Sequence, residues 1–197
     1  MFVSNNPLNF YAPPSSSYRI ETFHELQSAL AERGISTHNW VKSLGDLWRE
    51  IEDGDCNVEI KDGELLRTVE EVRVRCYFID ARGSKFKLHE DQQIFSSGKA
   101  RCRNFDYIVE KKQFGEAIET AALRGLQEEL QIDTDRIELI PQSELNDIKT
   151  QESPSYPGIK STYVRYNFFV QIPEDQFRGG YQEEKNGKTT YFSWKKC

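Results

Sequence analysis

With 197 residues, 37% of them apolar and 29% charged, the chain is long enough to bury a core of its own without a metal or disulfide staple. Twelve Phe and nine Tyr argue against a disordered chain. A net charge of −6 argues against bulk coating of nucleic acid, which needs a basic surface, and no apolar run reaches the length of a membrane helix.

Residues 1–19 are rich in Asn, Pro and Ser, including Ala12-Pro13-Pro14-Ser15-Ser16-Ser17, and read as an arm. Its aromatics Phe2, Phe10, Tyr11 and Tyr18 suit an arm that lies along the body. A helix is expected from Thr22, with Glu25 completing a capping box, Phe23, Leu26, Leu30 and Ala31 at helical spacing, and Gly34 closing it. A second is expected from a cap at Ser36 or Thr37, carrying Trp40, Val41, Leu44, Leu47, Trp48 and Ile51 and stopped by Asp53-Gly54-Asp55. The pair forms an αα-hairpin that must dock its apolar face, a structural appendage first and a surface for a protein partner second. A boundary is therefore expected near residue 63, with arm and hairpin over 1–63 and a second unit over 64–197.

Past Gly63 the period changes. Glu70 to Ile79 alternates, with Val72, Val74 and Cys76 on one side and Glu71, Arg73 and Arg75 on the other, and predicts a strand. Asp80-Ala81-Arg82-Gly83 turns into a second strand from Lys85 to Ile94, and residues 105–109 suit a third. A helix is expected over residues 118–130, a strand over 137–140, a loop at Ser153-Pro154-Ser155-Tyr156-Pro157-Gly158, and strands over 163–172 and 189–194. Strands on both sides of one well-formed helix indicate a mixed α/β or α+β layer fold. Cys56, Cys76, Cys102 and Cys197 lack metal-finger spacing and read as free thiols of a reducing compartment. With no basic start followed by an apolar stretch, no signal peptide is expected, which suits the cytoplasm or a plastid stroma.

The segment that carries chemistry is residues 115–132, Gly-Glu-Ala-Ile-Glu-Thr-Ala-Ala-Leu-Arg-Gly-Leu-Gln-Glu-Glu-Leu-Gln-Ile. On a helix, Ala122, Leu123, Leu126 and Leu130 form an apolar stripe, while Ala121, Gly125, Glu128 and Glu129 fall on the opposite side. A small-residue groove thus lies beside two adjacent carboxylates. This stretch resembles the Nudix box, whose pattern is Gly, five residues, Glu, seven residues, then Arg-Glu-apolar-any-Glu-Glu-any-Gly-apolar. Glu116, Arg124, Leu126, Glu128, Glu129 and Ile132 match their places. Glu110 stands where the first Gly belongs, Gly125 where the Glu after Arg belongs, and Gln131 where the last Gly belongs.

The resemblance implies a Nudix-like α/β/α sandwich with a mixed sheet, preceded by the arm and hairpin. It implies Mg²⁺ (or Mn²⁺) held by Glu128 and Glu129, with Glu116 and Arg124 completing the catalytic set, and a nucleoside diphosphate derivative as the bound small molecule. Hard divalent ions take carboxylate oxygens, neutralise phosphate charge and activate water. A carboxylate attracts such an ion by roughly 8 kcal/mol at ~4 Å and an effective dielectric near 20, before desolvation. Losing the Glu at 125 therefore implies a weakly bound metal. Glycine in a helix interior also costs ~1 kcal/mol relative to alanine. Either something approaches the helix closely at Gly125, or a ligand has been given up. Whether the chain is an enzyme stays open at this point, between a degenerate box with weak or no hydrolysis, a divergent hydrolase, and a scaffold.

Blander roles exist for the same residues. Glu128 and Glu129 suit a solvated helix face, Arg124 an i,i+4 partner of Glu128, and Glu116 a carboxylate favoured by the helix dipole. Glu183-Glu184 are expected in a loop before the last strand, where an extra acid could serve. Lys85, Lys87, Lys99, Arg101, Arg103, Lys111 and Lys112 make a basic stretch better suited to a solvated strand face than to phosphates. Tyr156 suits a loop anchor better than a base-stacking platform. His24, His38 and His89 lack metal-site spacing.

Overall fold

The extended run that starts at Glu64 continues for 16 residues and makes the central strand of the molecule, β3 (Glu64–Ile79), its buried positions changing face at Glu70-Glu71. The computed structural model describes residues 17–185 and 187–197, so most of the expected arm lies outside the described residues. The last residues assigned to that arm form a strand instead, β1 (Ser17–Arg19), paired antiparallel with β2 (Asn57–Lys61). Tyr18 there is exposed. β2 and β3 are joined by Asp62 and Gly63, both at positive φ, with Lys61 paired to Glu64. An Asp-Gly pair between two such runs is the two-residue hairpin signal.

Two helices precede this hairpin. The first, α1 (Phe23–Glu32), has the expected capping box of Thr22 and Glu25. The second, α2 (Leu44–Glu52), begins later than the sequence predicts, at a capping box of Ser43 and Asp46. Ser36 and Thr37 cap no helix. Residues 36–42 are irregular because the 153–158 loop takes up their donors. The Val41 and Lys42 N–H groups bond Ser155 O, and Trp40 Nε1 donates to Pro157 O at 2.8 Å. Trp40 meets the ring of Tyr156 edge-on, and Tyr156 is fully buried, a loop anchor as expected. Gly158 in this loop has φ +91, and a Cβ there would lie 3.0 Å from Ile35 Cγ2. Gly158→Ala is expected to cost about 1–3 kcal/mol through backbone strain, seen as a lower thermal midpoint. An unchanged midpoint would mean that the loop yields freely.

Around β3 the sheet is mixed. β2, β4 (Lys85–Phe95) and β6 (Ile108–Lys111) pair with it antiparallel, and β9 (Lys160–Gln171) pairs with it parallel, Val72 opposite Tyr166. The short β5 (Ala100–Arg101) lies on β4. On the far edge of β9 lie β7 (Ile140–Pro141) and β8 (Asp147–Glu152). β11 (Lys188–Lys196) pairs with β4, and β10 (Gly180–Lys185) pairs with β11. The strand expected at 137–140 shrinks to β7. Glu183 and Glu184 stand in β10, not in a loop.

Side chains alternate across a strand, and β3 uses both faces. Leu65 and Val69 belong to one core with Leu26, Leu30, Leu47, Ile51 and Tyr156, under α1 and α2. Val72, Val74 and Cys76 point the other way, into a second core with Ala122, Leu126, Leu130, Phe168 and Phe192, under α3 (Ile118–Leu130). Helices thus cover opposite faces of β3 at different points along its length. The result is a mixed α+β fold consistent with the expected α/β/α sandwich. The hairpin core draws on Leu65, Val69, Tyr156 and Ile159, beyond residue 63. Among the described residues no helix is long and apolar enough to cross a membrane.

Candidate active site

The helix spans the residues predicted, Ile118–Leu130, and ends where Gln131 adopts a left-handed conformation at φ 54. Left-handed helix ends favour glycine, and a glutamine occupies this one. Ala121, Ala122, Gly125, Leu126, Glu129 and Leu130 are buried. The helix is therefore covered on two sides. Its apolar stripe faces the core, and its small side lies against β6, where a Cβ on Gly125 would sit 3.0 Å from Glu110 Cβ and 3.6 Å from Ile108 Cδ1. Of the two explanations for Gly125, close approach is the one the structure supplies.

Arg124 ties this region together. Its guanidinium meets Glu116 Oε2 at 3.1 Å, Glu110 Oε1 at 3.0 Å, Glu128 Oε1 at 3.6 Å and Lys111 O at 2.8 Å. The bond from Arg124 holds the Glu116 carboxyl below its ordinary value, and Glu116 also accepts from Gln113 N at 2.9 Å. Glu116 and Arg124 thus brace the entry loop on the helix, a positioning role.

Glu128 and Glu129, expected side by side toward one cleft, part company. Glu128 is outward, 2.7 Å from Lys185 Nζ, a bond that lowers its carboxyl pKa with help from Arg124. Glu129 points inward and is 8% exposed. Burial pushes its carboxyl well above the ordinary value, and Glu183 and then Glu110 push it further, with Lys188 and Arg103 offsetting only part. Glu183, on β10, is also 8% exposed. Among the described residues, neither Glu129 nor Glu183 has a hydrogen bond or ion pair from its side chain. A carboxyl buried like that of Glu129, with a like charge nearby and no bonded partner, calls for a proton or a cation.

Glu183 continues a row of buried polar side chains through its cross-strand partner Thr190 to Gln93, which Arg101 bonds at 2.5 Å. Beside the row opens a cleft of about 480 Å³, lined by Glu128, Gln131, Arg178, Tyr181, Glu183 and Glu184 among others. The basic stretch ahead of the helix is largely engaged with other side chains. Lys87 pairs with Asp106, Arg103 with Glu90, Lys111 with Asp55 and Lys112 with Glu70. No three carboxylate, imidazole or thiolate groups among the described residues converge closely enough to hold an ion unaided.

Sequence reasoning missed Glu110 and underweighted Glu183. The signal for Glu183 was the alternation from Tyr181 to Glu183 ahead of Asn186-Gly187, a hairpin sequence.

No family model and no curated protein matches the sequence. Among solved structures, the dihydroneopterin triphosphate pyrophosphohydrolase of E. coli aligns at 16% identity over 65% of this chain and 79% of that one, with a TM-score of 0.38. A C. elegans Ap4A hydrolase in a binary complex aligns at 17% identity over 64% and 78%, with a TM-score of 0.30. Likeness this low leaves the chemistry to be read from the side chains.

Proposed function

We propose that this is a Nudix-like protein that holds Mg²⁺ or Mn²⁺ at Glu129 and Glu183 and binds a nucleoside diphosphate derivative in the adjoining cleft, with hydrolysis weak or absent. The observation that carries the reading is the Glu129 carboxyl, buried beside Glu183 with no protein cation bonded to it. The donor set fits the ion: Mg²⁺ commonly takes one or two protein carboxylates and completes its shell with water and substrate phosphates. That also suits a site with fewer than three converging groups. When bound, the ion would neutralise phosphate charge and lower the pKa of a water.

The chain's own residues divide the remaining work. Glu116 and Arg124 fix the helix against its entry loop, and Glu128 stands at the cleft rim on Lys185. Arg178 offers the cleft a guanidinium suited to phosphate oxygens. Glu128 serves the ion only after leaving Lys185, so its part as a direct ligand is secondary to that of Glu129. An active hydrolase is the second reading, favoured by Glu110, a further carboxylate close enough to repel Glu129. A protein scaffold is the weakest, because the apolar faces of α1 and α2 are buried on their own sheet. The arm and hairpin over 1–63 would then serve as an appendage to the Nudix-like unit. Four free cysteines, two of them buried, suit the cytoplasm or a plastid stroma.

Thermal midpoints with ADP-ribose, NADH, dinucleoside polyphosphates and oxidised nucleotides, each with and without Mn²⁺, test the reading, with chromatography for products. At least one nucleotide is expected to raise the midpoint only when Mn²⁺ is present, with little product. Rapid turnover abolished by Glu129→Gln would establish the hydrolase reading instead. Midpoint rises that ignore Mn²⁺ and survive Glu129→Gln would contradict both.

A further inference from the structure

Lys185 is the last residue of β10 and shares a face of that strand with Tyr181 and Glu183, since side chains two residues apart lie on one side. Tyr181 belongs to the core under α3, so the row Tyr181, Glu183, Lys185 faces that helix. The Lys185 ammonium meets Glu128 Oε2 at 2.7 Å and Glu110 Oε2 at 3.9 Å. Arg124 meets the other oxygen of each acid, Glu110 Oε1 at 3.0 Å and Glu128 Oε1 at 3.6 Å. Two cations and two carboxylates thus alternate around a closed ring that joins α3, β6 and β10.

All four carboxylate oxygens are taken up by the ring. Among the described residues, Lys185 is the one cation that either Oε2 meets. Both of those oxygens converge on its Nζ, so a compact ammonium stands where the two acids would otherwise hold a free cation. Lysine suits the place, as a point charge on a flexible stem. The Lys185 and Glu128 side chains are 46% and 39% exposed, so their pair contributes little to stability through solvent. Its consequence is occupancy. The two acids are balanced by Lys185 and Arg124, and a divalent ion finds no uncompensated charge between them.

We infer that Lys185 is a resident cation, which takes the place of a divalent ion between Glu110 and Glu128 and bars metal from both acids. It thereby determines how many metal ions the cleft accepts. The exchangeable ion is left to Glu129 and Glu183, and the α3 rim carries a built-in positive charge that needs no free metal. The single exchangeable ion rests on the cation reading proposed above; the occupation of the ring by Lys185 does not.

The test is Mn²⁺ uptake by the full chain, read from the electron paramagnetic resonance signal of free Mn²⁺, for native protein, Lys185→Met, Lys185→Met/Glu128→Gln and Glu129→Gln. Circular dichroism melting establishes that each variant is folded. Lys185→Met is expected to bind one Mn²⁺ more than native, since two carboxylates with water completing the shell suffice for a hard divalent ion. The added ion is expected to disappear in the double variant, which a merely structural tie between β10 and α3 would not produce. Equal uptake by native protein and Lys185→Met would overturn the inference, and binding lost in Glu129→Gln would then leave the cation reading standing. Uptake by Lys185→Met beside none by native protein would support the resident cation and overturn the cation reading alone.

Discussion

Glu129→Gln is expected to stabilise the metal-free protein at neutral pH while removing its response to Mg²⁺ or Mn²⁺. The Glu129 carboxyl titrates well above 4.5 in the folded chain, chiefly because it is buried, then because Glu183 and Glu110 repel its charge. Lys188 on β11 and Arg103 ahead of β6 favour the charge but do not offset burial, and Cys76 faces it from β3 as a neutral thiol. A raised carboxyl contributes its full stability below the unfolded value. That contribution falls as pH rises toward the folded value, by about 1.4 kcal/mol per pH unit. The folded protein must either take up a proton at Glu129 or hold an uncompensated charge. Glutamine does neither. A gain of about 1–3 kcal/mol, the usual penalty of an unsatisfied buried group, corresponds to a midpoint higher by roughly 2–12 °C for a chain of this size. The gain should shrink as pH approaches 4.5 and disappear below it. A variant less stable than native at neutral pH without metal would mean that Glu129 already has a protein partner.

The second large effect lies on the other face of β3. Arg67→Met is expected to cost about 3 kcal/mol, near the lower end for breaking a buried ion pair, measured by chemical denaturation at neutral pH. Arg67 Nη2 lies 2.5 Å from Glu50 Oε2, with the two side chains 5% and 9% exposed. The pair joins α2 to the first half of β3, and Arg67 also lies over the ring of Tyr156 at 5.4 Å. Burial pushes the Glu50 carboxyl up, but Lys111, Lys42 and Arg67 outweigh it and hold it down at about 2. Lys42 at 2.6 Å and Lys111 at 3.5 Å remain after the substitution, which keeps the loss from being larger. Because Glu50 is depressed, its contribution is present above 4.5 and lost as pH falls from there toward 2. Replacing both partners, as Arg67→Met/Glu50→Leu, should recover much of the loss, since two well-packed apolar groups do without the desolvation of two ions. A loss below about 1 kcal/mol in Arg67→Met would mean that the pair behaves as a surface bridge and that the hairpin is docked by apolar contact alone.

Local signals carried much of the fold. The capping box at Thr22 and Glu25, the alternation through Val72, Val74 and Cys76, and the helical spacing of Ala122, Leu126 and Leu130 place α1, the second half of β3 and α3 within a few residues. Elements whose ends depend on tertiary partners were not legible in the same way. The start of α2 is set by Ser155 O taking the Val41 and Lys42 donors, a contact spanning more than a hundred residues of sequence. β8 is polar and largely exposed, an edge strand with no apolar face to announce it. β2 and β10 had a readable cue, since Asp62-Gly63 and Asn186-Gly187 each separate residues paired across a hairpin, Lys61 with Glu64 and Lys185 with Lys188.

The candidate site was half legible for a similar reason. Helical periodicity put Gly125, Glu128 and Glu129 off the apolar stripe, but it does not reveal that a strand covers that side too. With β6 and β10 in place, Glu129 turns inward, Glu128 is left to Lys185, and Glu110 and Glu183 become its neighbours. Glu183 is far from the helix in sequence, and Glu110 stands on the strand ahead of it. A strand was expected over 105–109, but the glycine at 125 was the trace of its close approach to the helix, because a helix interior keeps glycine at a cost only where something lies close.

Mn²⁺ soaked into crystals of the native protein, located by its anomalous scattering, tests the central claim most directly. The account predicts a peak between the Glu129 and Glu183 carboxylates, at roughly the 2.0–2.6 Å typical of oxygen-bound divalent ions. Carboxyl oxygens of Glu129 and Glu183 within hydrogen-bonding distance of each other, with no peak beside them at saturating Mn²⁺, would show that a shared proton meets the need for a cation, and would contradict the account.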